Sequence, residues 1–280
     1  MAQGPGRVGP ATLAALNVSS ADRVDQILLN MERWRWLPQD LGTRHIIVNI
    51  ADFKLQVMEN GQPVLNMKII VGKGYRRTPV FSDKITYLVL NPSWLIPHEI
   101  AVKDKLPLVR KDPEYFTKQN IRVFRGWGAE SREINSKTVN WSAVTPQTFP
   151  YRLRQDPGPE NALGRIKFMF PNRFNIYIHD TPYRTLFHKA SRTFSSGCIR
   201  IEKPLELAAY VLKPDSRWHP DAIRAALEQG EERTIPLPEP IPVHLLYWTV
   251  FVDPTGNLQF RPDIYNRDKR LSDALRKKSP

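Results

Sequence analysis

The sequence reads Ile176-Tyr177-Ile178-His179-Asp180-Thr181-Pro182 and then Ser195-Ser196-Gly197-Cys198-Ile199-Arg200, which places its only cysteine nineteen positions after His179. A lone cysteine cannot form a disulfide within the chain or build a cysteine-rich zinc site. Cys198 is therefore either a small buried apolar side chain or a reactive thiol. Its neighbours favour reactivity, because the Ser-Ser-Gly turn offers backbone donors without bulky side chains and Arg200 supplies a positive charge that favours the thiolate.

The candidate base for this thiol is His179, which ends a strand-like run and would be held on a rigid element. Its ordinary pKa, about 6.5, suits proton exchange with a thiol. The alternative interpretation is a histidine that only makes a hydrogen bond at a strand end. The other histidines show no metal-ligand spacing, so we predict neither a metal nor a cofactor.

Alternating apolar and polar residues predict a mostly β core with flanking helices, an α+β fold. The Asn60-Gly61 pair predicts a hairpin, and the turn at 253–257 predicts another. Alternate prolines in 236–242 lack an N–H group, so this segment is expected to form an extended surface strap. The predicted strands are 45–50, 53–58, 64–71, 85–90, 151–154, 166–170 and 175–179, and the predicted helices are 19–36, 204–212 and 219–228.

Residues 93–149 interrupt this alternation and predict an inserted subdomain. A helix is expected from about Glu99 to Arg110. The insertion also holds several aromatic residues that we expect to be exposed and to form a lid that excludes water from the reaction. These residues are Phe116, Phe124, Trp127 and Trp141.

The paired motifs resemble the catalytic signature of the L,D-transpeptidases, which have a YkuD-type fold. Residues 31–38, 91–94 and 260–265 are similar to the larger Gram-negative members that carry a substrate-capping subdomain. The resemblance covers about residues 22–277. It implies a YkuD-like β-sandwich catalytic core with an inserted helical lid.

The same resemblance divides the chain into segments. Residues 43–280 would be the catalytic domain, 93–149 its capping subdomain and 19–42 a linker helix. Residues 8–17 resemble the closing helix of a peptidoglycan-binding domain, so 1–18 is expected to be the remnant of an upstream domain. The resemblance implies a periplasmic protein, although the sequence shows no secretory signal and no run of the roughly 18 apolar residues that a membrane span needs. Any membrane association would come from missing upstream sequence.

Acyl transfer needs a nucleophile, a base and donors for an oxyanion. Cys198 and His179 supply the first two, and the resemblance implies that a backbone carbonyl near Asp180, not its carboxyl group, orients the histidine. The oxyanion hole is expected to use the N–H groups of Cys198, Gly197 and Ser196.

Three further side chains are candidates for binding substrate. Arg200 can hold a carboxylate through two hydrogen bonds, or instead form a structural ion pair with an acidic neighbour such as Glu202. Tyr177 and Trp94 match positions near the donor site of the capped relatives, although aromatic residues at strand ends also serve as core.

The net charge of +13 would suit nucleic acid, anionic lipid or another acidic polymer. Between residues 152 and 203 there are ten Lys or Arg against four Asp or Glu, so the excess lies around the two motifs. This distribution favours an anionic substrate, although a solvated basic face would serve solubility alone. No nucleic-acid-binding motif accompanies the charge, so we predict no nucleic-acid partner.

The resemblance implies a peptidoglycan L,D-transpeptidase. Cys198 would attack a donor tetrapeptide stem, and the amine of an acceptor stem would complete a 3→3 cross-link. Carbapenems and related β-lactams would acylate the same sulfur. The alternatives are an L,D-carboxypeptidase or a protein-to-peptidoglycan attachment enzyme that uses the same thioester, and a non-catalytic cell-wall-binding module with a buried cysteine.

Overall fold

The computed structural model describes residues 8–126 and 128–277, without the side chains of Ala11 and Ala129. The chain forms two compact units. The larger consists of residues 43–48 and 53–245, and the smaller contains the described residues up to Gly42, 49–52 and those from Leu246 onward. The predicted segment boundaries at 18, 42, 93 and 149 stay predictions, and residues 1–7 of the predicted remnant lie outside the described residues.

Short strands dominate the described residues, and helices lie between them. The helices are α1 (Pro10–Leu16), α2 (Ser20–Trp34), α3 (His98–Ile100), α4 (Leu106–Lys111), α5 (Tyr115–Lys118), α6 (Pro204–Val211), α7 (Pro220–Glu228) and α8 (Arg267–Arg276). The strands are β1 (Arg44–Asn49), β2 (Lys54–Glu59), β3 (Gln62–Gly72), β4 (Phe81–Leu90), β5 (Trp94–Ile96), β6 (Ile121–Arg125), β7 (Arg132–Ile134), β8 (Tyr151–Gln155), β9 (Ile166–Met169), β10 (Ile178–His179), β11 (Thr193–Ser195), β12 (Ile199–Ile201), β13 (Arg233–Leu246), β14 (Val250–Val252) and β15 (Leu258–Phe260).

The core of the larger unit is a nine-stranded mixed sheet in the order β11-β3-β12-β10-β9-β4-β13-β1-β2. A further pairing of β2 with β3 closes this sheet on itself. Alternate apolar residues point into the enclosed space, as the pattern of period two predicts. Ile69, Leu88, Phe168 and Ile199 are all fully buried there. The predicted α+β fold with a mostly β core is confirmed.

The predicted surface strap at 236–242 is wrong. This segment belongs to β13, which lies between β4 and β1 in the sheet. The pairing with β4 shifts register between Pro236 and Ile241, an interval that contains Pro238 and Pro240, which cannot donate hydrogen bonds. The strand therefore tolerates its prolines by leaving the regular ladder over that interval, while Leu237 and Ile241 stay buried.

The insertion forms a second sheet together with the strand that follows it, in the order β5-β8-β6-β7. The strand predicted at 151–154 is present as β8, but it pairs with β5 and β6 in this second sheet and not in the nine-stranded core. Alternation of apolar and polar residues was expected to be absent throughout 93–149. This expectation is wrong at 121–125, where buried and partly exposed residues alternate along β6. The expected helix is present as α3, a π-helical segment Ala101–Lys105 and α4 in succession. The helical lid of the sequence prediction is therefore only part of the subdomain.

The expectation of exposed aromatic residues is wrong for two of the four. Phe116 is fully buried and Trp141 is 4% exposed, and their rings meet edge to face with centroids 5.1 Å apart. They belong to an apolar core that the insertion shares with Leu153 of β8. Trp127 lies outside the described residues. The sequence alone could not show whether these aromatic side chains are buried or exposed, because neither arrangement gives a regular hydrophobic period in a small irregular subdomain.

The smaller unit is organised around α2, whose N-terminus is capped by the Ser19 hydroxyl accepting from the Asp22 N–H. Arg33 on the buried face forms an ion pair of 2.6 Å with Asp268 of α8. The predicted hairpin at 253–257 is confirmed as the turn between β14 and β15. Among the described residues, helices are all too short or too polar to span a bilayer.

Candidate active site

The three strands β9, β10 and β12 lie side by side and bring three basic side chains into one row. His179 on β10 is directly opposite Lys167 on β9 and Arg200 on β12. Cross-strand partners project from the same face of a sheet, so the three side chains share one side of it. Lys167 was missed by the sequence analysis. The signal was available, because Lys167 interrupts the apolar pair Ile166 and Phe168 at the alternate position of a core strand.

His179 is held by its own backbone neighbour. Its Nδ1 atom lies 2.6 Å from the carbonyl oxygen of Asp180 and its side chain is almost completely buried. Burial, followed by the positive charge of Arg200, lowers the pKa of His179 to about 3. The imidazole is therefore neutral at physiological pH, with Nδ1–H donating to the carbonyl and Nε2 left as the acceptor. The expectation of a pKa near neutrality is wrong, because the sequence does not show this burial.

The Asp180 carboxyl group binds groups other than His179, and the backbone carbonyl orients the histidine, as the resemblance implied. It accepts from the Arg165 N–H at 2.9 Å and from the Arg184 guanidinium at 3.3 Å. Asp180 therefore contributes its backbone carbonyl to the histidine and its side chain to the surrounding loop.

Cys198 lies directly before β12 and its Sγ atom is 3.9 Å from the carbonyl oxygen of Asn175. Burial raises the pKa of the Cys198 thiol above its usual value, although Tyr177, Lys167 and Arg200 each act in the opposite direction. The positive charge of Arg200 thus favours the thiolate as expected, but desolvation outweighs it. The Cys198 thiol and the His179 imidazole are therefore both neutral at rest.

Tyr177 is an aromatic residue in contact with the thiol. Its hydroxyl interacts with Cys198, and burial raises the pKa of Tyr177 so that the hydroxyl remains protonated. The Nζ atom of Lys167 lies 4.1 Å from the centroid of the Tyr177 ring. Trp94, which is 8% exposed, belongs to the apolar core of the insertion, and Tyr177 packs against that core. The sequence left a structural role and a position at the site as alternatives, and both residues combine the two, since they pack in or against this core and line the cleft that contains Cys198.

The turn that carries Cys198 is fixed by hydrogen bonds. Gly197 adopts φ = +120°, a conformation that glycine tolerates readily. The Gly197 carbonyl accepts from the Thr78 hydroxyl at 2.7 Å, and the Gly197 N–H donates to Ser195 Oγ at 3.1 Å. The second bond engages one of the three predicted oxyanion donors, and the assignment of Ser196, Gly197 and Cys198 to an oxyanion hole stays a prediction.

Arg200 is not paired with Glu202, so that alternative is wrong. Glu202 instead forms an ion pair with Lys68 at 3.5 Å and accepts from the Lys68 N–H at 3.1 Å. The Nε atom of Arg200 is buried without a hydrogen-bond partner among the described residues. A partly buried guanidinium with a buried, unsatisfied Nε donor favours an anionic ligand at this position.

A cleft of about 730 Å³ joins these groups. All seven site residues predicted from the sequence line it, and the insertion contributes Glu99, Ile100, Asp104 and Lys105 to its wall. The residues that line the cleft and were predicted are Trp94, Tyr177, His179, Ser196, Gly197, Cys198 and Arg200.

In the described ranges, no group of three or more His, Cys, Asp and Glu side chains is placed to hold a metal ion, and the absence of a metal stays a prediction.

Comparison with known proteins identifies the family of this chain. Residues 43–232 match the model of the YkuD family, described as L,D-transpeptidase catalytic domain. A Haemophilus influenzae protein whose curated name assigns it provisionally to the L,D-transpeptidases is 35% identical over 247 residues, covering 88% of this chain and 49% of the relative. The chain thus spans about half the length of that relative.

Solved structures of L,D-transpeptidases are also similar, at low identity. One from Mycobacterium smegmatis is 10% identical, with a TM-score of 0.34, and the match covers 73% of this chain and 58% of that one. L,D-transpeptidase 3 from Mycobacterium tuberculosis with a faropenem-derived adduct is 13% identical, with a TM-score of 0.31 and coverage of 72% and 60%. The family assignment rests on the match over residues 43–232. Through that match, which includes both motifs, the chain belongs to the YkuD family of L,D-transpeptidase catalytic domains.

Proposed function

We propose that this chain is a peptidoglycan L,D-transpeptidase that forms 3→3 cross-links through a thioester on Cys198. The observation that carries the proposal is a single cleft lined by a buried neutral histidine, a thiol and a partly buried arginine whose Nε donor is unsatisfied. Family membership supports acyl-transfer chemistry, and these residues supply a nucleophile, a base and an anion-binding group for it.

In the proposed first step, Cys198 Sγ attacks the carbonyl carbon of the L-centre of diaminopimelate in a tetrapeptide stem. His179 accepts the thiol proton as the C–S bond forms, because its neutral imidazole has a free acceptor nitrogen. The C–N bond to D-alanine then breaks, and the proton passes from His179 to the leaving amine. Arg200 would hold a carboxylate of the donor.

In the proposed second step, the side-chain amine of an acceptor stem attacks the thioester carbonyl. Its proton passes through His179, the C–S bond breaks and the thiol of Cys198 is restored. We propose that the insertion acts here by limiting water, since it contributes Trp94 and Lys105 to the wall of the cleft. Water as acceptor would give hydrolysis, and a protein lysine would give attachment to peptidoglycan.

Incubation with a disaccharide-tetrapeptide tests the choice of acceptor. We expect cross-linked dimers with loss of one D-alanine per dimer, resolved by mass spectrometry, and no dimers with the Cys198→Ala variant. Tripeptide monomers as the main product would contradict transpeptidation and identify a carboxypeptidase. An unchanged tetrapeptide with both proteins would contradict the proposed reaction on this donor.

We further propose a periplasmic location, because peptidoglycan stem peptides lie in that compartment. Cell fractionation with an antibody to the chain would check it. The protein is expected to be released with periplasmic contents, and its recovery with cytoplasmic markers would contradict the location.

A further inference from the structure

A loop from Gly72 to Thr78 contacts the turn that precedes Cys198. The Lys73 N–H donates to the Ser195 carbonyl at 3.0 Å. Two side chains of the loop extend this contact, Arg76 to the Ser196 hydroxyl at 3.0 Å and Thr78 to the Gly197 carbonyl at 2.7 Å. Three consecutive residues before the nucleophile are therefore held by one loop.

The loop is itself internally fixed. The Thr78 hydroxyl accepts from the Gly72 N–H at 2.9 Å, and the Arg76 N–H donates to the Lys73 carbonyl at 2.9 Å. The backbone folds back so closely on Gly72 that a Cβ atom there would lie 2.0 Å from the Arg76 carbonyl oxygen. Because the loop is closed in this way, a displacement of Arg76 is expected to move the loop as a whole, together with the turn that it contacts.

Arg76 also reaches the insertion. The Nη1 atom that donates to Ser196 forms an ion pair with Asp104, which lies in the π-helical segment Ala101–Lys105. The Arg76 side chain is 9% exposed whereas that of Asp104 is 40% exposed, so the guanidinium is enclosed and its partner faces the cleft. Charge-assisted hydrogen bonds of an enclosed arginine are among the stronger polar contacts in proteins.

We propose that Arg76 is a positioning residue that ties Asp104 of the insertion to Ser196, and thereby holds the turn before Cys198 in its reactive geometry. The inference rests on the proposed acyl-transfer function. It gives the insertion a second task besides limiting water: when the π-helical segment is in place, the backbone donors beside the sulfur are in place as well. Arg76 also lines the cleft, but in this scheme it acts through Ser196 and not by contact with the thiol or the substrate.

Two reagents on the purified full chain separate positioning from simple exposure of the thiol. Iodoacetamide needs an accessible sulfur, whereas a carbapenem also needs ordered donors around its carbonyl oxygen. We expect Arg76→Met to slow carbapenem acylation about 30-fold and to leave iodoacetamide alkylation within about threefold, since charged hydrogen bonds are lost but the thiol remains. Asp104→Asn should slow acylation about fivefold, and Asp104→Glu should restore most of it.

The double variant Arg76→Met/Asp104→Asn should be no slower than Arg76→Met alone, because Asp104 acts through Arg76. Lys103→Met, on the same helical segment, is the control and should match the wild type. Additive effects, or acylation of Arg76→Met within about twofold of the wild type, would overturn the inference. Equal losses with both reagents would show general damage and overturn it too. A wild-type chain that reacts with iodoacetamide but takes no carbapenem would instead contradict the proposed function.

Discussion

Replacing His179 with glutamine is expected to slow acylation of Cys198 by a carbapenem about 1,000-fold, within the range that a general base contributes. Glutamine can still donate a hydrogen bond to the Asp180 carbonyl but cannot accept a proton from the thiol. The loss should be large because burial raises the pKa of Cys198, so the sulfur does not ionise without a base. Stopped-flow fluorescence or timed intact-mass spectra would measure the rate.

The pH dependence of the wild-type rate follows from the same groups. Because the pKa of His179 is lowered to about 3, the imidazole stays in its basic form from pH 5 to 8. The acylation rate should therefore be level across that interval, without an inflection near 6.5. His188→Gln is the matched control, since His188 is exposed in the loop between the two motifs, and it should retain the wild-type rate. A rate that falls about tenfold between pH 7 and pH 5 would contradict a histidine of lowered pKa.

Histidine burial also predicts how stability depends on pH. A group whose pKa is lower in the folded than in the unfolded chain binds fewer protons when folded. As pH falls from about 6.5 towards 3, the unfolded chain is protonated at His179 while the folded chain is not, so stability decreases. The free energy of unfolding of His179→Gln should lack this part of the decrease.

Gly72→Ala is expected to lower the free energy of unfolding by about 3 kcal/mol, the upper end of the cost of overpacking. A Cβ atom at this position would lie 2.0 Å from the Arg76 carbonyl oxygen and 2.8 Å from the Thr78 nitrogen. Both are backbone atoms, so no side-chain rotation relieves the clash. Urea titration followed by tryptophan fluorescence would measure the change.

Gly74→Ala is the control for this substitution. Gly74 lies in the same loop, and a Cβ atom there would have no neighbour within 4 Å. Its unfolding free energy should equal that of the wild type within about 0.5 kcal/mol. Equal stability of the two variants would show that the 72–78 loop is not closed on itself, and the positioning role of Arg76 would lose its structural basis.

Local signals in the sequence predicted much of the core. The Asn60-Gly61 pair determines the tight turn between β2 and β3, and Pro204 and His219 determine where α6 and α7 begin. These features depend on a few adjacent residues. The register that places His179 beside Arg200 depends on strands distant in sequence, so it had to be observed.

Errors occurred where tertiary context overrides local preference. The prolines of 236–242 suggest an edge or a strap, yet β13 lies between two strands because its ladder shifts register around them. Phe116 and Trp141 appear in irregular sequence, yet they form the core of the insertion. The strand neighbours of β13 and the packing of these two aromatic residues cannot be found from the periodicity of the sequence.

The two site motifs were identifiable because the candidate nucleophile, the candidate base and the turn residues lie in short strings. Their electrostatics were not identifiable, since desolvation acts through every element packed around a group. Arg200 favours the thiolate and disfavours the imidazolium, as a charge beside them should, but burial decides the resting state of Cys198. Lys167 and Arg76 were missed because their importance comes from neighbours more than ten residues away in sequence.

The central claim is that Cys198 carries the acyl group, and an intact mass spectrum after incubation with a carbapenem tests it most directly. The wild-type chain should gain the mass of one carbapenem, and peptide mapping should place it on Cys198. The Cys198→Ala variant should gain nothing under the same conditions. An adduct that persists in Cys198→Ala, or a wild-type chain that remains unmodified while its thiol reacts with iodoacetamide, would contradict the account.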